Sequence, residues 1–256
     1  MKLYSRRQGQ GAPLLLYHGL FGSGDNLAPI AKLLEADFDV ISPDLRNHGR
    51  SPHDKDMTFE AMAADLLELL NDLNLPKAHL LGHSLGGKAV MRLALDHPAR
   101  VSKLLVADIT PKAYGPLYPQ VFDALETLDL KELSSRTEAE ARLLVKIPDA
   151  PTRGLLLKNL GKNEADQFYW KMNLEALSKA KQNLGEEITA LIPFSGPTCF
   201  LRGELSPYVQ DNDLPAIKKL FPSASLATLA GAGHWLHAEQ PSQFAEAVKK
   251  FLNATD

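Results

Sequence analysis

The segment Ala78-His79-Leu80-Leu81-Gly82-His83-Ser84-Leu85-Gly86-Gly87-Lys88 restricts this chain more than any other. A short apolar run enters a G-x-S-x-G pattern and leaves it into Ala89-Val90-Met91, the start of a helix. A serine on so sharp a strand-to-helix turn adopts strained backbone angles. The chain also passes so close to itself that side chains beside the serine would clash, and glycine on both sides removes them. The turn pushes the Ser84 hydroxyl out above the sheet. It sets the Leu85 N–H at a helix start, where the macrodipole favours developing negative charge.

The rest of the chain supplies the sheet and helices that such a turn needs. Residues 13–17 read as a strand ending in a Gly-rich loop, 27–34 as a helix and 39–42 as a strand. Phe59, Met62, Ala63, Leu66, Leu67 and Leu70 fall at i, i+3, i+4 spacing, so residues 59–73 form an amphipathic helix, with Thr58 as its N-cap. Residues 78–81 are the strand before Ser84; the helix after it runs to about residue 97, where Pro98 stops it, and 101–107 is the next strand. This alternation is the signature of an α/β fold: a mostly parallel central sheet with helices on both faces.

The rhythm breaks between about residues 111 and 191. There, residues 121–130, 137–146, 155–160 and 165–181 all read helical, separated by loops with Pro and Gly. Their charges are mixed in sign, as on a solvated outer surface. Strand character returns at 197–201 and 225–229, with a helix near 214–221 between them, and a last helix at 242–252 closes the chain. The expectation is a core of residues 1–110 and 192–256 interrupted by a helical cap insertion, residues 111–191.

Composition narrows the function. With 256 residues, 45% of them hydrophobic, the chain can bury one large core carrying an insertion. A net charge of −3 offers no basic footprint for nucleic acid. The N-terminus has basic residues with no apolar stretch behind them, so no secretory signal is expected, and no apolar run is long enough to span a bilayer. The single cysteine, Cys199, lies within Thr198-Cys199-Phe200-Leu201 and reads as a packed core thiol. Without an intramolecular disulfide the chain suits a reducing compartment, and the cytoplasm is the expected location.

A serine hydroxyl attacks poorly until a base takes its proton. His234 is the candidate, in Ala230-Gly231-Ala232-Gly233-His234-Trp235-Leu236-His237, a bendable loop after the last strand and before the last helix. His237 is the competitor and reads as a packing or surface histidine. His18, His48 and His83 belong to other loops. The oxyanion of an acyl-transfer intermediate needs two N–H donors. Leu85 supplies one, and Tyr17-His18-Gly19-Leu20-Phe21-Gly22-Ser23, following the first clear strand, supplies the other through Leu20, or failing that Phe21. Two carboxylates compete to orient the base: Asp108, at the end of strand 101–107, and Glu204, in the turn Arg202-Gly203-Glu204-Leu205-Ser206-Pro207. Asp108 is preferred, because its strand should lie beside the one leading to Ser84 and end at the same edge. Lys88, on the following helix, receives no catalytic role. No spacing of His, Cys or acids suggests a metal site, and no cofactor is expected.

The segments HGLFGS, DLRNHGRS, GHSLGGKAV, ADITP, SPYV and GAGHWLHAEQP resemble the α/β-hydrolase superfamily, and within it the bacterial YbfF-like esterases most closely. The match covers the core on both sides of the insertion and the cap only loosely. The resemblance implies a Ser-His-Asp esterase for short- or medium-chain acyl esters, with thioesters such as acyl-CoA also admitted. Many α/β-hydrolases carry the triad acid in the turn after the cap, where this chain has Ser206. The resemblance supports the acid at Asp108, with Ser206 hydrogen-bonded into the same network. It also implies a structural part for residues 44–51. An apolar acyl pocket is expected from cap residues such as Phe122, Leu125, Phe168, Trp170 or Met172, which can equally be cap core. Rival readings are a C–C hydrolase, a lyase or a cofactor-free perhydrolase on the same fold, or a ligand receptor that turns over slowly.

Overall fold

Leu14, Leu15, Leu16 and Tyr17 are all shut off from solvent. The strand that carries them therefore has both faces covered, as a parallel strand between two layers of helices must. The structure, a computed structural model, describes residues 1–254. In chain order it contains β1 (Ser5–Gln8), β2 (Ala12–Tyr17), α1 (Ala28–Leu34), β3 (Phe38–Pro43), α2 (Phe59–Asp72), β4 (Ala78–His83), α3 (Leu85–Asp96) and β5 (Val101–Ala107). A segment follows with α4 (Pro119–Glu126), α5 (Arg136–Leu144), α6 (Ala150–Lys158), β6 (Leu160–Lys162), β7 (Phe168–Trp170) and α7 (Leu174–Ala180). The chain then returns through β8 (Thr198–Gly203), α8 (Leu214–Leu220), β9 (Ala224–Leu229), α9 (Leu236–Glu239) and α10 (Pro241–Asn253).

The main sheet has the order β1-β3-β2-β4-β5-β8-β9. All its neighbours run parallel except β1, which pairs antiparallel with β3. Successive residues point to opposite faces. Leu14, Leu16, Val40, Leu81, Leu105 and Leu201 pack with Ile30, Leu34, Phe244 and Val248 of α1 and α10, and Cys199 is buried among them. Leu15, Tyr17, Ile41, Leu80, Leu104 and Phe200 pack with Met62, Leu66, Val90 and Leu93 of α2 and α3. Each fully buried Leu contributes about 1.5–3 kcal/mol, and a one-residue slip of a strand would exchange its faces, so burial fixes the register. No helix among the described residues is long and apolar enough to cross a membrane.

The core elements fall within about two residues of their sequence-predicted bounds, but three regions differ. The edge strand β1 is polar (Ser-Arg-Arg-Gln) and carries no apolar alternation to reveal it. Pairing with β3 and an Arg7–Asp39 ion pair of 2.6 Å hold it. The second difference is at residues 165–181, expected as one helix. Phe168–Trp170 is instead a strand, paired antiparallel with Leu160–Lys162, and the helix begins only at Leu174, behind an Asn173 cap. The Asn163 side chain accepts from the N–H groups of Ala165 and Gln167 at 3.0 and 2.9 Å, closing a turn that reverses the chain. Three consecutive aromatic residues then favour the pleated form over the helical one. The helix expected at 155–160 likewise starts earlier, at Ala150, where the Asp149 side chain caps it.

The segment between β5 and β8 is tied to the core at its root. Tyr114 N–H bonds to Gly185 and Ile188 N–H to Pro111, at 2.8 Å each, so the outgoing and returning chains run side by side. The ammonium of Lys88, buried on α3, joins them by donating to the carbonyls of Lys112 (2.9 Å) and Glu186.

Candidate active site

Ser84 stands between β4 and α3 with φ +52° and ψ −120°, a conformation that a non-glycine residue occupies only at a cost. The flanking glycines are sterically required. A Cβ at Gly82 would lie 2.3 Å from the Gly86 carbonyl oxygen, and one at Gly86 2.4 Å from that of His18. The Ser84 N–H donates to the Ala107 carbonyl at 2.9 Å, which pins the turn to the end of β5.

The next residue on β5 is Asp108, fully buried and also at positive φ, +52°. Its N–H donates to the Leu201 carbonyl at 2.9 Å. Three groups converge on its carboxylate: His234 Nδ1 at 2.7 Å on Oδ2, the Ser206 hydroxyl on the same oxygen, and the Gly203 N–H at 3.2 Å on Oδ1. Contact with the carboxylate fixes the His234 proton on Nδ1 and leaves Nε2 as the basic nitrogen. That Nε2 is buried and has no hydrogen-bond partner among the described residues. The ring lies beside β4, its centroid 4.8 Å from that of His83, and His83 Nε2 donates to the His234 carbonyl at 2.9 Å. The structure thus brings Asp108, Ser206 and His234 together at the edge from which Ser84 projects.

The competing residues are otherwise engaged. Glu204 is exposed and accepts the Gly231 N–H at 2.8 Å, so its carboxylate serves the loop rather than the imidazole. His237 is buried under His83, ring centroids 4.5 Å apart, and burial, with His234 beside it, pushes its pKa down to about 4.

The two candidate oxyanion donors lie at the start of α3 and in the loop after β2. Neither the Leu20 N–H nor the Leu85 N–H has an acceptor among the described residues. The Phe21 N–H, the alternative to Leu20, is occupied: it donates to His48 Nε2 at 3.2 Å. His18 acts in the same way on the neighbouring strand end, its Nε2 accepting the Leu45 N–H at 2.9 Å and its Nδ1 donating to the Gly19 carbonyl at 2.8 Å. Burial lowers the two pKa values to about 4 for His18 and about 3 for His48, so both rings stay neutral and can accept. Residues 44–51 thus hold the loop that carries Leu20, with Asp44 accepting from Gly24 and Arg50 at 2.7 and 2.8 Å.

Two tyrosines at the site were not foreseen from the sequence. Tyr208 stacks on His234, and the Tyr118 ring lies 6.5 Å from the same imidazole, centroid to centroid. The only signal for Tyr208 is its place two residues after Ser206 in SPYV; Tyr118, from the loop before α4, has none.

A cleft of about 380 Å³ adjoins the site, lined by Gly19, His83, Leu27, Pro151, Leu155 and Trp235 among others. One wall is α6, which contributes Pro151, Gly154 and Leu155. Phe122 is buried against Phe21, ring centroids 5.1 Å apart; Leu125 and Met172 are buried too, and Phe168 and Trp170 are half-buried. None of the five lines this cleft. Among the described residues no cluster of three His, Cys or acidic side chains could hold a metal ion.

Residues 12–241 match the family described as alpha/beta hydrolase fold. Esterase YbfF of Escherichia coli K12 is 35% identical over 252 residues, an alignment spanning 97% of this chain and 96% of that one. The sn-1-specific diacylglycerol lipase ABHD11 of Xenopus laevis is 38% identical over 252 residues, spanning 95% of this chain and 80% of the lipase. A solved structure described as a marine microorganism esterase superposes with a TM-score of 0.95 at 43% identity, covering 98% of this chain and 99% of its own.

Proposed function

Because this chain belongs to the alpha/beta hydrolase fold family and resembles esterases and a lipase over nearly its whole length, we propose that it is a serine carboxylesterase. It acts on short- to medium-chain acyl esters and on acyl thioesters. The observation that carries the reading is the His234 imidazole, held through Nδ1 by a buried aspartate with its Nε2 unpartnered beside the strained Ser84 turn.

His234 Nε2 takes the Ser84 proton as the hydroxyl oxygen attacks the substrate carbonyl carbon. Negative charge gathers on the carbonyl oxygen, where the Leu20 and Leu85 N–H groups receive it; one such donor is worth about 3–4 kcal/mol to the transition state. The imidazolium then protonates the leaving alcohol or thiol, and the acyl group stays on Ser84. A water enters, gives its proton to His234, and attacks the acyl carbon; the acid departs and Ser84 recovers its proton. Asp108 orients the imidazole and balances its charge in both half-reactions, and Ser206 holds the carboxylate. Residues 111–191 act as a cap over the core of residues 1–110 and 192–256, and the cleft under α6 receives the apolar part of the substrate.

A panel of p-nitrophenyl esters of graded chain length, acyl thioesters and diketones tests the reading. Turnover confined to esters and thioesters, removed to background by Ser84→Ala with the fold intact, is the expected result. Diketone cleavage without esterase activity, or steady turnover in Ser84→Ala, would overturn it.

A further inference from the structure

The triad accounts for both nitrogens of His234 but not for its ring faces. One partner is stacked on it: the Tyr208 ring, with centroids 4.2 Å apart and planes inclined by 25°. This contact is built from several sides. The Tyr208 N–H donates to the Ser206 hydroxyl at 3.3 Å, the same hydroxyl that donates to Asp108. The Tyr208 carbonyl accepts from the Tyr114 hydroxyl at 2.7 Å, which in turn accepts the Thr110 N–H at 2.9 Å. Tyr114 comes from the chain leaving β5, and the Lys88 ammonium at the root of the inserted segment lies 5.2 Å from its ring centroid. Tyr208 is therefore anchored independently of the imidazole that it covers.

An aromatic face carries negative potential, so it attracts a cation stacked on it far more than a neutral ring. A base has to be unprotonated to take a proton, so in the proposed mechanism the His234 imidazolium forms as Ser84 attacks and again as water attacks. Attraction that exists only in the charged state lowers the barrier without tightening substrate binding. We infer that Tyr208 is a positioning residue of the proposed esterase: its ring fixes the plane of the His234 imidazole and stabilises the imidazolium formed in each half-reaction. The inference rests on the esterase reading, since it needs His234 as the base.

Other groups face the imidazole from every side and have to be set apart. They are Asp108 beyond β5, His83 at the end of β4, His237 in α9, Tyr118 before α4, and Trp235 next in the chain. Burial keeps His83 and His237 uncharged well below the ordinary histidine range. Burial likewise holds the Tyr118 and Tyr208 phenols above theirs. None of these four produces the acidic limb of an activity profile near neutrality.

The test is kcat/KM against pH for the full chain with a p-nitrophenyl ester. Tyr208→Leu is expected to lose about 3- to 30-fold at the plateau, mostly in kcat. Its acidic limb should move to lower pH by about 0.4–1.5 units, because the protonated imidazole has lost its partner. A merely loosened fold would slow the enzyme without extending its activity to more acid conditions. Tyr208→Phe keeps the ring, so the limb should stay in place while the rate falls by no more than a few-fold. Should Tyr208→Leu not fold, phenylalanines of increasing ring fluorination at position 208 preserve shape while draining the face of negative potential, and the limb should move stepwise to lower pH. An unmoved limb in Tyr208→Leu or across the fluorinated series, or equal losses in Leu and Phe, overturns the inference. His234→Ala in the same assay separates the two readings: its retained turnover would remove the esterase mechanism itself, whereas its inactivity beside an unmoved limb removes only the role of Tyr208.

Discussion

Strands β5 and β8 lie side by side, Ala107 opposite Leu201, and end at the same edge of the sheet, yet their ends contribute opposite things. β5 ends in a buried carboxylate, Asp108, on a left-handed backbone. β8 runs into a turn whose contributions are donors: the Gly203 N–H and the Ser206 hydroxyl, both directed at that carboxylate. The carboxylate that β8 does offer, Glu204, is exposed and caps the loop at Gly231. A buried anion is tolerated only with hydrogen bonds to satisfy it, so one strand end supplies the charge and its neighbour the means to keep it there. Acid and hydroxyl thus come from adjacent strand ends in series: the Ser206 hydroxyl donates to the Asp108 carboxylate, and that carboxylate alone meets the His234 imidazole.

That division of labour is open to attack by substitution. The largest effect falls on β5: Asp108→Asn is expected to lower kcat by about 10⁴-fold, since the amide cannot offset the imidazolium and favours the wrong tautomer. Steady-state kinetics on one ester decides this, and a mild loss would move the charge elsewhere. On β8, Ser206→Ala removes one bond to a charged oxygen and should cost about tenfold, near 1.5 kcal/mol. No change at all would return Ser206 to the turn. Glu204→Gln should stay within about twofold; a loss as large as that expected for Asp108→Asn would reverse the two roles.

The smallest effect on rate, and a larger one on stability, belongs to the loop after β2 and the residues 44–51 that hold it. There His18 and His48 are buried as neutral acceptors with pKa values near 4 and 3. As pH falls below about 6.5 the unfolded chain gains protons that the folded chain refuses, so stability present above that value is lost toward pH 4. Each such histidine should steepen the fall in Tm by roughly 2–4 °C per pH unit. Calorimetry of His48→Gln should show a shallower slope than the parent, and an identical slope would show that this ring is not what resists protonation.

Periodicity revealed most of the core because β2 to β5 and β8 are buried on both faces and helices such as α2 and α10 on one, so apolar spacing reports their packing directly. It missed β1, whose Ser-Arg-Arg-Gln sequence gains its place from backbone pairing and the Arg7–Asp39 ion pair, neither of which leaves an apolar pattern. It also misread residues 165–181, where a side-chain turn at Asn163 overrode helical spacing. At the candidate site, Ser84 and His234 stood out because glycines mark the turns that expose them. Choosing between Asp108 and Glu204 required knowing which strands are neighbours. Tyr208 stacking and the α6 wall of the cleft arise from segments far apart in the chain, and no local pattern encodes them.

The most direct measurement is the site of covalent capture. Treated with an alkyl fluorophosphonate and digested, the protein should yield one adduct, on the peptide bearing Ser84, and Asp108→Asn should form it far more slowly. A label on any other residue, or none while esters are still turned over, would contradict the account.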